Sequence, residues 1–170
     1  MKAGDYYSTQ RVGIFIDVVN LYHSSKNLYH GRVNYRELIK HLVGGRQLIR
    51  AMAYVVKSEN AAGEAQFFEA LEKAGLELRS KDLQIYGDGT KKGDWDVGMA
   101  VDTIRMASSL DVVILVTGDG DFIPLVDYLK WGMGKLVEVA AFGRSASGKL
   151  HEVADKFMNI EDIPRSIIRK

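Results

Sequence analysis

The sequence predicts an α/β protein, a three-layer α/β/α sandwich whose mostly parallel sheet has about five strands. Two observations predict it. Short apolar runs rich in Val, Ile and aromatic residues alternate with segments of helical periodicity along the 170 residues, a pattern that favours parallel strands joined by helical crossovers. The chain also holds only two prolines, Pro124 and Pro164, and no Gly/Ser linker or repeat. It therefore reads as a single domain over 1–170, with its core at about 11–160.

Residues 11–17 (RVGIFID) form the first expected strand. Residues 48–56 (LIRAMAYVV), 111–117 (DVVILVT) and 135–142 (KLVEVAAF) are further strands, each too short for a typical helix. A weaker pair at 76–79 and 82–86 alternates apolar and polar residues, as an edge would. Asn34, with Glu37 three residues on, makes a capping-box-like start for a helix over 35–43, which Gly44-Gly45 stops. A helix over 61–74 carries Ala65, Phe68 and Leu71 at helical spacing. One over 94–109 gathers Val97, Ala100, Val101, Ile104 and Ala107 on one face. Residues 121–131 and 151–157 supply the remaining helices. Right-handed crossovers then bring every strand's C-terminal end to one rim, and ligands of such sheets bind at that rim where strand order reverses.

The chain has no cysteine, which excludes disulfides and cysteine-based zinc sites and suits a reducing cytosol. Residues 1–10 are polar, unlike a signal peptide, and no apolar run nears the roughly 20 residues of a membrane span. These features point to a cytoplasmic protein without a membrane partner. Twenty-three basic residues against 22 acidic ones leave a net charge of +1. Proteins that simply coat nucleic acid are more basic, so any basic binding face here is local.

Acidic residues collect at the predicted rim. Asp17 ends the first strand, Asp119 and Asp121 follow the 111–117 strand in the turn TGDGDF, and Asp94 and Asp96 open the helix after the 87–93 loop. Carboxylates so placed repel one another unless neutralised. A hard cation such as Mg²⁺ or Mn²⁺ takes oxygen ligands of this kind, and in such a site it activates water and stabilises phosphate charge. Gly118 and Gly120 are expected to let the turn bend. The plainer reading is that each aspartate caps a helix: Asp17 from Val18 onward, Asp121 before Phe122, Asp94 or Asp96 before Val97. Four caps converging on one rim is the less economical account.

Three ordered motifs carry a resemblance: FIDVVNL at 15–21, KGDWDV at 92–97 leading to Asp102, and VTGDGDF at 116–122 followed by PLV at 124–126. Together they resemble the NYN domains, in the LabA-like branch of the PIN-like nuclease superfamily, over roughly 11–160. The resemblance implies a PIN-like Rossmannoid sheet and a Mg²⁺- or Mn²⁺-dependent ribonuclease site. It places Asp17, Asp96, Asp119 and Asp121 at the catalytic, metal-binding positions. Asn20 and Thr117 fall on supporting polar positions that orient substrate or metal-bound water, and Asp102 on a second acid in the helix. Val18-Val19 and Gly120 depart from the small and serine residues common there. Asp102 lies six residues after Asp96, roughly 240° around a helix, so it is a candidate for support through another ligand.

Other features carry weaker signals. Lys92, with Lys91, is placed to meet phosphate or to be a solvated loop. Arg32, Arg36, Lys40, Arg46 and Arg50, with Tyr29 and Tyr35, suit single-stranded RNA or an ordinary charged helix face. The 143–149 segment matches a P-loop only in Gly-x4-Gly-Lys spacing, and Leu150 stands where Ser or Thr would bind Mg²⁺. His23 lies near Asn20. Trp95 and Trp131 read as core or interface anchors, and Trp131 with the edge strands is compatible with a homodimer. The functional reading is a metal-dependent endoribonuclease acting on single-stranded or structured RNA. The alternatives are a non-catalytic RNA- or protein-binding module that keeps the acidic pocket, and a phosphatase-like enzyme using Lys135 and Thr117 beside an aspartyl nucleophile.

Overall fold

The computed structural model describes residues 7–58 and 62–169; the polar start at 1–6, the expected helix start at Ala61 and Lys170 lie outside them. Six strands form the central sheet: β1 (Arg11–Asp17), β3 (Gln47–Lys57), β4 (Glu77–Asp82), β7 (Val112–Val116), β8 (Leu136–Ala141) and β9 (Lys156–Asn159). Their order is β4-β3-β1-β7-β8-β9 and every neighbouring pair is parallel. The expected sheet of about five strands is therefore six strands wide and wholly parallel. Two short antiparallel pairs stand apart from it: β2 (Gly31–Val33) with β10 (Ile167–Arg169), and β5 (Gln84–Ile85) with β6 (Lys91–Lys92).

β1 and β7 are central because both of their faces are buried. Val12, Ile14 and Ile16 face one core cluster with α1 (Val18–Tyr29) and α2 (Tyr35–Val43). Phe15, Val113 and Leu115 face a second cluster with α4 (Asp96–Ala107) and α5 (Ile123–Asp127). Strands buried on both sides read as continuous apolar runs, and these were the runs the sequence made plain. α3 (Glu64–Lys73) connects β3 to the edge strand β4.

Four expectations are corrected. Of the 82–86 segment only Asp82 lies in the main sheet, as the end of the edge strand β4, because β5 leaves it to pair with β6. The 151–157 helix lies earlier, as α6 (Gly148–Val153), and its expected end is β9, which pairs with β8. The 121–131 helix is three successive pieces: a 3-10 turn over Gly120–Phe122, α5, and a π-turn over Tyr128–Gly132. The fourth concerns α4. Met99, Thr103 and Ala107 are its buried face, while Val97 is 78% exposed and Val101 and Ile104 also reach solvent.

The sheet order places the site. Chain order runs outward from β1 to β3 and β4 on one side, then returns to β7, β8 and β9 on the other. Strand order thus reverses between β1 and β7, where open α/β sheets form a crevice beyond their C-terminal ends.

Candidate active site

Asp17 ends β1 and caps α1. Its Oδ1 accepts the Asn20 backbone N–H at 3.1 Å, and its Oδ2 accepts the Thr117 hydroxyl at 3.0 Å. Thr117 follows β7, is fully buried, and its Oγ1 accepts the Asp119 N–H at 3.2 Å. The Asn20 Oδ1 accepts the Gly118 N–H at 3.0 Å. Two strand ends that meet at the switch point are thereby tied through three side chains. Asp119 in turn caps the 3-10 turn by accepting the Asp121 N–H at 2.9 Å. The cap reading therefore holds for Asp17 and fails for the others: Asp119 rather than Asp121 caps the turn, and α4 has Trp95 at its N-cap, with no side-chain cap from Asp94 or Asp96. Thr117 has no exposed surface, so it holds Asp17 and the 117–119 turn rather than orienting substrate or water.

Asp96 arrives from the start of α4. The preceding Trp95 pins that start to β3: its Nε1 donates to the Val55 carbonyl at 2.8 Å, and its ring meets Tyr54 edge-on at 5.6 Å. Gly98 is needed against that ring, because a Cβ there would lie 2.5 Å from it. Lys81 completes the anchorage, its ammonium 5.1 Å from the Trp95 ring centre and donating to the Asp94 carbonyl. Gly118 and Gly120 do not adopt positive φ. Their smallness serves instead to let the turn pack against 145–147, since a Cβ on Gly120 would sit 3.0 Å from the Ser147 Oγ.

Asp96, Asp119 and Asp121 each bring one carboxylate oxygen within 4.8 Å of the others. Asp17 lies outside that trio but lines the same cleft of about 440 Å³ as Asp94, Asp96 and Asp119. Among the described residues no Lys or Arg forms an ion pair with any of these five acids. The consequence falls on Asp96. Burial, then the charges of Asp119, Asp17, Asp94 and Asp121, push its carboxyl from 3.8 up to about 6. Burial also raises Asp17, against the opposing hydrogen bonds from Asn20 and Thr117.

Several expected participants lie elsewhere. Asp102 is buried on α4, accepts the Tyr54 hydroxyl at 3.1 Å and sits 3.5 Å from Arg79, so it supports the β3–α4 packing and does not line the cleft. Lys92 is exposed on β6, opposite Gln84, and is not a cleft residue. Lys135 donates to the Leu110 carbonyl just before β8, at the opposite end of the sheet, which removes the cation an aspartyl-phosphate mechanism would need. The basic cluster disperses as well, with Arg46 buried against Glu138, Arg50 paired with Glu77, and Tyr35 in the core. Ser147 caps α6 and its N–H donates to the Gly118 carbonyl, so the 143–149 segment braces the acidic turn.

The sequence reading singled out Asn20 and set His23 near it, but missed Ser24 and Asn27 and the cleft wall that the four form. α1 contributes Asn20, His23, Ser24 and Asn27. Their spacing of i, i+3, i+4 and i+7 is a polar stripe of helical period directly after Asp17, and that spacing was the signal.

A parallel sheet in this order, with uncompensated carboxylates at its switch point, defines a Rossmann-like α/β protein with an acidic site. The NYN domain family model matches residues 11–161, and the chain belongs to that family, within the PIN-like nuclease superfamily. The chain is similar to the Low amplitude and bright protein LabA of Synechococcus elongatus, with 23% identity over 172 residues covering 96% of this chain and 90% of LabA. It is also similar to a protein of unknown function, VPA0982, from Vibrio parahaemolyticus RIMD 2210633. That crystal structure superposes with a TM-score of 0.87 at 32% identity, covering 96% of this chain and 99% of the other. No helix among the described residues is long and apolar enough to cross a membrane.

Proposed function

We propose that the protein is a divalent-metal-dependent endoribonuclease. The observation that carries this reading is the trio Asp96, Asp119 and Asp121, whose oxygens gather within 4.8 Å with no Lys or Arg among the described residues paired to them. An all-carboxylate donor set of this density fits Mg²⁺ or Mn²⁺, and the Asp96 carboxyl, raised by burial first and then by its acidic neighbours, is one whose charged form a cation would favour.

Asp96, Asp119 and Asp121 would hold the ion, with Asp17 adding negative charge from the β1 side of the cleft. Bound there, the ion supplies an activated water and stabilises the charge on a phosphodiester undergoing attack. Asn20 has a separate task. Its Oδ1 is held by Gly118, which leaves its NH₂ group at the cleft to donate to a phosphate oxygen. The anchoring of Asp17 by Thr117 and of Asp96 through Trp95 keeps the acids apart at fixed positions, so the site is organised before substrate arrives. Family membership supports RNA as the substrate class.

The test uses mixed single-stranded and structured RNA with Mn²⁺, Mg²⁺ or EDTA, and the variants Asp96→Asn and Asp119→Asn. Cleavage in Mn²⁺ or Mg²⁺ that EDTA and both substitutions abolish is the expected result. Cleavage that survives EDTA and both variants overturns the metal site. RNA binding without metal-dependent cleavage makes the protein a binding module instead.

A further inference from the structure

The apolar face of α4 that the core leaves uncovered is one wall of a groove. Val97, Ala100 and Ile104 form that wall; Pro124, Leu125 and Tyr128 form the other, from α5 and the start of the π-turn. The groove encloses about 320 Å³ and opens beside the acidic trio, because Asp96 and Asp121 line it too. Tyr128 is half exposed, and its ring rests against Gly132, where a Cβ would sit 3.0 Å away. An aromatic ring and branched aliphatic side chains thus line one groove with Asp96 and Asp121.

We propose that this groove is a nucleobase subsite, holding the base of the nucleotide next to the phosphate that the acids process. The proposal rests on the nuclease reading and deepens it. Its first support is continuity: Asp96 lines both the groove and the 440 Å³ cleft, so a chain whose phosphate lies at the acids has a base within reach of the groove. Charge supplies the second. Among the described residues no Lys or Arg lines the groove, and its charged members, Asp96 and Asp121, are the ones that would hold the ion, so the apolar walls beyond them offer a phosphate no counter-charge and accept a neutral planar ring. A third support is the contrast between the two sides. The cleft wall on α1 is polar, with Asn20, His23, Ser24 and Asn27, and suits sugar and phosphate, whereas the groove offers an aromatic ring and branched aliphatic side chains on which a base stacks. A second copy of the chain laid over the groove would have to bring a counter-charge to Asp96 and Asp121, since burying them unpaired is strongly destabilising.

The two nucleotides flanking the central phosphate would then meet different surfaces. One neighbour of the central phosphate is read by its base in the groove, and the other is held through its backbone along α1.

The experiment compares adenosine 5′-monophosphate with ribose 5-phosphate, which lacks the base, in buffer containing Mg²⁺. Binding is followed through the methyl NMR signals of Val97, Ile104 and Leu125 in the whole chain. The nucleotide is expected to bind roughly tenfold more tightly and to shift these three methyls by ring current, while the sugar phosphate leaves them in place. Tyr128→Ala is expected to erase the preference and Tyr128→Phe to keep it. Equal affinities, or a preference that survives Tyr128→Ala, overturn the subsite alone. Affinities of both probes that EDTA leaves unchanged overturn the metal reading while a remaining base preference leaves the subsite standing, and binding of neither probe overturns both. A dimer that dissociates on Tyr128→Ala assigns the groove to a second copy and overturns the proposal.

Discussion

Replacing Asp96 by Asn should stabilise the metal-free protein and destabilise the metal-loaded one, relative to wild type. In the fold the Asp96 carboxyl is raised from 3.8 to about 6, by burial first and then by four neighbouring acids. Its stabilising contribution as a neutral group is therefore complete below about pH 4. It is lost as the pH rises towards 6, because the unfolded chain ionises earlier than the folded one. A shift of that size corresponds to about 3 kcal/mol at most. Asp96 is only partly buried, and solvent screening brings the realistic figure to about 1 kcal/mol. For a chain of this length, that moves Tm by roughly 2–4 °C. Thermal melts in EDTA should therefore show Asp96→Asn level with wild type near pH 4 and a few degrees above it at pH 7.5. Mn²⁺ at a hundredfold excess over Kd adds about 2.7 kcal/mol to a protein that binds it. The same cation should thus lift wild type above the variant and reverse their order. Melting temperatures that keep one order with and without Mn²⁺, or a difference that does not vary between pH 4 and 7, would refute the idea that Asp96 is charged at a cost which a cation relieves.

Three further outcomes test the scaffold. Thr117→Val removes the hydroxyl between Asp17 and the Asp119 N–H; leaving those buried groups unpaired should cost about 1–3 kcal/mol in chemical denaturation, whereas Thr117→Ser should recover both stability and Mn²⁺ affinity. Gly98→Ala forces a methyl against the Trp95 ring, so it should cost roughly 1–3 kcal/mol and weaken Mn²⁺ binding measured by calorimetry, since the ring anchors the segment carrying Asp96. Arg46→Met strands Glu138, which is 4% exposed and receives two bonds from the Arg46 guanidinium; urea unfolding should show a loss of about 3–5 kcal/mol with Mn²⁺ affinity unchanged.

What was legible in the chain follows from where each residue lies. β1 and β7 stood out because strands buried on both faces lose the polar alternation that blurs other elements. Their ends carry Asp17 and the 117–121 turn, so the acids at the switch point could be located from those strands alone. β9 was hidden because its four residues, Lys156–Asn159, are too few to set a period, and its pairing with β8 is a long-range event. α1 was missed for a different reason. Its inward residues Leu21 and Ser25 are few, and its outward stripe is polar because it walls the cleft. Thr117 and Asp102 were seen as residue types, but their partners, Asp17 and Tyr54, are separated from them by 100 and 48 positions. Spacing along the chain does not reveal such contacts.

α4 shows why a correct residue pattern led to a wrong placement. Val97, Val101 and Ile104 do share a helical face, and such a face is ordinarily turned to the core. In this helix the core takes the Met99–Thr103–Ala107 face instead. The decision is made at the helix start, where Trp95 is hydrogen-bonded to Val55 and packed on Tyr54. With that ring seated, the next residue, Asp96, falls at the acidic trio, and the helical rotation that follows leaves Val97 outward. Turning the Val97–Ile104 face inward would require unseating Trp95 and carrying Asp96 away from Asp119 and Asp121. The exposed apolar face is therefore the geometric consequence of placing Asp96. The acid and the groove beside it are set by one anchor, so a substitution that loosens Trp95 should weaken cation binding and disturb the groove together.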